Sequence, residues 1–146
     1  MVTGYYNYRT EIKNVKFIAD DGRTCPRTAI VTLFGHDGEE IGSELFGVME
    51  VSEIYKTIKE GKDLVLDDMF ISEFSLSTYR RSQGLDKKEF VTLVKFSARN
   101  TFFEAKSSTD FSYAAFSDDE VNFDGSHFAK GMQTASGISE PPAHAG

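Results

Sequence analysis

Six phenylalanines in the last third of this chain, Phe96, Phe103, Phe111, Phe116, Phe123 and Phe128, each follow a compact or β-branched residue two positions upstream. The partners are Val94, Thr101, Thr109, Ala114, Val121 and Ser126. Residues two apart on a strand point to the same side, so each pair predicts a short rung that sends one small and one large side chain into a shared interior. Recurrence at short intervals predicts that these rungs stack as a solenoid. Such a stack presents surface, so the functional expectation is binding rather than catalysis.

The spacings between these phenylalanines are 7, 8, 5, 7 and 5 residues, so the period is near five with insertions. It is cleanest in Thr109-Asp110-Phe111-Ser112-Tyr113, Ala114-Ala115-Phe116-Ser117-Asp118, Val121-Asn122-Phe123-Asp124-Gly125 and Ser126-His127-Phe128-Ala129-Lys130, each centred on its Phe. Residues 94–131 resemble the pentapeptide-repeat family. That resemblance implies a right-handed, four-sided β-helix in which the central Phe and the small residue before it point inward. Residues 51–66 bear a weaker likeness to the helix and strand that lead into such arrays. Asp119-Glu120 interrupts the fives, and the next inward position after Phe128 falls on Gln133. With room for about one or two coils, the stack must lean on the preceding residues or on a second copy of the chain. A β-sandwich or curved antiparallel sheet is the alternative for the same alternation.

Upstream, Tyr6, Tyr8, Ile12, Val15 and Phe17 predict two early strands, with a turn at Asp20-Asp21-Gly22. The run Thr28–Phe34, the turn His36-Asp37-Gly38 and the resumption at Ile41 and Leu45-Phe46 predict a hairpin. Residues 5–48 thus read as an antiparallel meander. One short helix is expected where Val51, Ile54, Tyr55 and Ile58 fall at helical spacing, capped by Ser52 and ended by Gly61. Leu64, Leu66, Phe70, Ile71, Phe74 and Leu76 predict short strands divided near Asp67-Asp68, and residues 80–89 read as a solvated loop. The expected organisation is a mainly β chain, with a β-rich domain over 1–93, a repeat segment over 94–131 and a disordered tail over 132–146.

The net charge of −7 disfavours phosphate backbones, so no direct nucleic-acid partner is expected. No apolar run approaches the ~18 residues of a membrane span, which predicts no membrane partner. A lone Cys25 and an N-terminus without signal-peptide order predict a cytoplasmic chain. His36, His127 and His144 have no ligand-spaced partner, so they read as surface residues and no metal or other cofactor is expected. Cys25 reads as packing within the meander, and Asp37, Glu39 and Glu40 as solvated turn residues. Paired general acids and bases at recognisable spacing are missing, which predicts a protein that is not an enzyme.

The repeat is also the acidic part of the chain, and Asp118, Asp119, Glu120 and Asp124 are its candidate partner-binding residues. The functional expectation is a protein-binding adaptor that forms homo-oligomers. Two alternatives are a small acidic inhibitor, of the phage type, that blocks a basic nucleic-acid-binding groove, and a small-ligand sponge with an intersubunit site lined by Tyr5, Tyr6, Tyr8 and nearby arginines.

Overall fold

The computed structural model describes residue 5 and residues 7–118, 121–129 and 132–133. The chain is mainly β, with the order β1 (Asn7–Lys13), β2 (Phe17–Ile18), β3 (Thr24–Cys25), β4 (Thr28–Phe34), β5 (Glu40–Val48) and α1 (Val51–Glu60) in its first part. There follow β6 (Asp63–Val65), β7 (Met69–Ser72), α2 (Leu76–Gln83), β8 (Val91–Ser97), β9 (Phe102–Glu104), β10 (Thr109–Asp110), β11 (Ala114–Phe116), β12 (His127–Phe128) and β13 (Met132–Gln133). Tyr6, Asp119, Glu120 and His144 lie outside the described residues, as do residues 134–146 of the expected tail.

β1, β4 and β5 pair antiparallel, as expected of the meander, and Gly38 at φ 80° turns the β4–β5 hairpin. At the end of β5 the pairing changes sense. Gly47 and Val48 pair in parallel with Met69 and Phe70 of β7, which pairs in parallel with β9, as β9 does with β12. The meander and these three rungs therefore form one six-stranded sheet, ordered β1-β4-β5-β7-β9-β12. A second parallel set runs β11-β8-β6, and β10 pairs in parallel with β13. The parallel pairing reaches back to Gly47–Val48 and to Asp63, and so takes in residues upstream of the phenylalanine pattern. Met132–Gln133, expected as the start of a tail, form a strand.

Corners between rungs recur. Asp68 (φ 64°), Asn100 (φ 52°) and Gly125 (φ 72°) each turn the chain just before β7, β9 and β12, and Asn100 Nδ2 donates to Asp68 Oδ1 at 3.0 Å. Asp67 accepts from Ser97 Oγ at 2.7 Å, from the Arg99 backbone at 2.9 Å and from both arms of the Arg99 guanidinium. Such forked charge-assisted bonding fixes a corner more strongly than a single neutral contact.

The sheet has a core on each side. Met69, Ile71, Phe103 and Phe128 point inward to a cluster that also holds Phe96, Phe111 and Phe123, with Phe116 packed against it and half-buried. Phe103 and Phe128 stack in parallel at 4.7 Å, and Phe111 meets Phe123 edge-on at 5.7 Å. The intervening residues Phe70, Phe102 and His127 point the other way and stack on one another beneath Ala29, Val31, Leu33 and Phe46 of the meander. His127, expected at the surface, is therefore fully buried: it points away from the Phe128 interior, but the meander covers it.

Two further expectations are corrected. The N-cap of α1 is Glu50 rather than Ser52, without a side-chain bond, although Gly61 at φ 67° ends the helix as expected. The described residues hold two helices rather than one, because α2 runs from the end of the segment read as short strands into the segment read as a solvated loop. Its signals are local: Ser75 Oγ accepts from the Thr78 backbone at 3.2 Å, and Gly84 closes the helix at φ 68°. Leu76 and Tyr79 face inward at helical spacing, and the next inward position belongs to Arg80.

Candidate functional site

Because the six-stranded sheet curls, β1 at one edge comes over the outward face of β7 and β9. Alternation on β1 sends Tyr8, Thr10 and Ile12 to the concave side. On β7 and β9, Ile71 and Phe103 fill the inner core, and so Ser72 and Glu104 must face the meander. The two walls meet where Tyr8 Oη donates to Glu104 Oε2 at 2.9 Å, with Ser72 Oγ 3.4 Å from the other carboxylate oxygen. Beyond that contact they part into an open cleft of about 730 Å³. Val48 and Phe70 form its floor, and Arg27, Met49, Glu50 and Val51 close one end, where the Arg27 guanidinium pairs with Glu50.

The cleft mixes an apolar floor with fixed polar groups. Burial, then the bonded and charged Glu104, push the Tyr8 hydroxyl far above its ordinary value, so at neutral pH it is a proton donor held on the carboxylate. Thr10 Oγ1 is shielded from solvent and has no hydrogen-bond partner among the described residues. Two carboxylates and one guanidinium line the space, and the guanidinium is already engaged by Glu50. This arrangement can orient a donor-bearing group over an apolar surface.

The expected site residues lie elsewhere. Asp118 and Asp124 are exposed and are not among the cleft residues, and Asp119 and Glu120 lie outside the described residues. Of the tyrosines expected around a ligand, Tyr8 lines the cleft and Tyr5 packs against His127 at 5.4 Å. The paired arginines expected to be wet separate: Arg81 is exposed, whereas Arg80 is buried. Cys25 is buried with Sγ 3.4 Å from Met69 Sδ, and burial pushes its thiol up despite the opposing charge of Arg23. His36, Asp37, Glu39 and Glu40 are exposed around the β4–β5 turn. Among the described residues no three His, Cys, Asp or Glu side chains converge to hold a metal ion, and no helix is long and apolar enough to cross a membrane.

Ser72, Glu104 and Thr10 were not singled out by sequence. Glu104 carried one readable signal, since the residue after an inward Phe103 must face outward. That it meets Tyr8, 96 positions away, follows only from the curl of the sheet. Comparison of the chain with protein-family models, with curated proteins and with solved structures gives no match.

Proposed function

We propose that this chain is a non-enzymatic, cytoplasmic protein-binding protein in which a short β-helix of the pentapeptide kind carries the meander, and that the cleft between them receives a protein partner. The β-helix part of the reading is supported by parallel pairing on successive rungs, recurring left-handed corners and paired inward positions such as Thr101 with Phe103 and Ser126 with Phe128. The binding part rests on one observation. The cleft is partly open to solvent and mixes apolar lining with fixed charges, whereas a small molecule is best held by a cavity that encloses most of its surface. A polypeptide laid along the cleft would cover its apolar floor while leaving its own far side in water.

Placing a photo-crosslinking residue at Ser72, in the cleft, and separately at Glu39, on the hairpin tip, tests this in extracts of the source cells. A discrete adduct from position 72 and none from position 39 is expected. No adduct from 72, or the same adducts from both positions, would refute the proposal.

A further inference from the structure

Resting on that reading, we infer that the partner enters as an extended segment that adds to the free edge of β1 and sets a lysine or arginine side chain against Glu104. β1 ends its sheet, and among the described residues its pairing is with β4 alone. One bond marks the outward groups on that edge. The Tyr8 N–H is held by the Asn7 side chain at 2.8 Å, as suits a group on the outer edge of β1, and an incoming strand would displace that bond. In a regular antiparallel ladder the direction alternates, so Thr10 and Ile12 also turn their N–H and C=O groups outward.

These same residues contribute side chains to the cleft, as does Asn7 from the opposite face, which means that the cleft wraps around the strand edge. An incoming strand would thus meet backbone partners and a side-chain pocket together, the pairing used in strand addition. Edges are commonly protected by charge, and here Arg9, Glu11 and Lys13 lie on the face away from the cleft, leaving Tyr8, Thr10 and Ile12 uncharged on the cleft side. Charge selects the side chain. Arg27 and Glu50 satisfy one another, whereas the hydrogen-bond partners of Glu104 are the neutral hydroxyls of Tyr8 and Ser72. A cation is the complement, and alternate outward residues of the added strand can deliver one while their neighbours point to solvent.

The probe is a random octapeptide library displayed on phage and selected against the full chain. Enriched sequences are expected to alternate β-branched or aromatic residues around one lysine or arginine. Their affinity should fall at least tenfold on Glu104→Gln, and also when backbone N-methyl groups block the amides facing β1; methylating the other amides should leave it unchanged. Glu104→Gln keeps an acceptor for Tyr8, and an unchanged melting temperature verifies its fold. Failure to enrich, enrichment without a basic residue, or indifference to both changes would overturn strand addition. If position 72 still gives a discrete crosslink in that event, protein binding stands and only this mode of entry falls. Dimerisation in sedimentation that Glu104→Gln abolishes would assign the cleft to a second copy and likewise overturn the inference.

Discussion

Arg80 is 1% exposed and works as a clamp between segments rather than as a surface charge. Its Nε donates to the Glu89 carbonyl at 2.6 Å, and Nη2 donates to the carbonyls of Ser112 and Tyr113, the latter at 2.9 Å. One side chain thus ties α2 to the polar connection after it and to the chain entering β11. The Arg80→Met variant fills similar space but takes the donor from the Glu89 and Ser112 carbonyls, while the Tyr113 carbonyl keeps the Val91 N–H at 3.0 Å. From the cost of burying unpaired polar groups, a loss of about 3 kcal/mol is expected in urea unfolding. Arg80→Lys is expected to recover little of it, because a single ammonium cannot reproduce the forked donor geometry. A stability within experimental error of the parent protein for Arg80→Met would show that the clamp contributes nothing. Sequence pattern gave no hint of the role, because residues 80–89 read as a solvated loop, although Ser75 and Gly84 stand at the ends of the helix.

At the scale of elements, the junction of β5 with β7 is where an antiparallel meander becomes a parallel stack. Gly47 sits in both ladders, opposite Thr28 on one side and Met69 on the other. A Cβ there would lie 2.7 Å from Cys25 Sγ, 2.7 Å from the Phe17 ring and 3.1 Å from Met69 Sδ. The requirement is for space, since two sulfur atoms and a ring pack directly over the backbone. Gly47→Ala is expected to destabilise by about 1–3 kcal/mol, the usual range for overpacking. At Gly35 an added Cβ would meet nothing nearer than 3.5 Å, so Gly35→Ala is the matched control and its urea midpoint is expected to move far less. Equal shifts for the two variants would remove the space argument. The strands that meet here were largely readable from alternation, but which strand would lie beside β5 was not.

For the whole molecule, the question is what holds the meander over the stack, and a buried imidazole bears on it. His127 is enclosed by Phe102, Tyr5 and the Glu44 side chain, with Nε2 3.5 Å from Glu44 Oε2 but without hydrogen-bond geometry. Burial lowers the His127 pKa and raises that of Glu44. The two act in opposite senses on stability. The folded state resists protonation of His127, so stability falls as pH drops below the unfolded histidine value of about 6.5, by at most about 1.4 kcal/mol per pH unit. A raised Glu44 instead disfavours its ionised form, a penalty that acidification relieves. His127→Phe extends the Phe70–Phe102 stack and removes the histidine contribution alone. The parent protein is therefore expected to lose stability relative to this variant between pH 7 and 5, read from paired urea titrations. Parallel pH profiles would refute the link between this imidazole and meander docking.

What the sequence by itself determined is local: the inward placement of Phe96, Phe103, Phe111, Phe123 and Phe128, the β4–β5 hairpin, and the glycine that ends α1. Side-chain alternation and turn chemistry act over a few residues, so a short window contains their cause. Tertiary structure alone decided what covers the outward side of each rung. Alternation says that Phe102 and His127 oppose Phe103 and Phe128; it does not say whether they meet water or a second layer. Only the parallel docking of β5 on β7, through the space left at Gly47, brings the meander over that side, buries His127 and sets Tyr8 against Glu104.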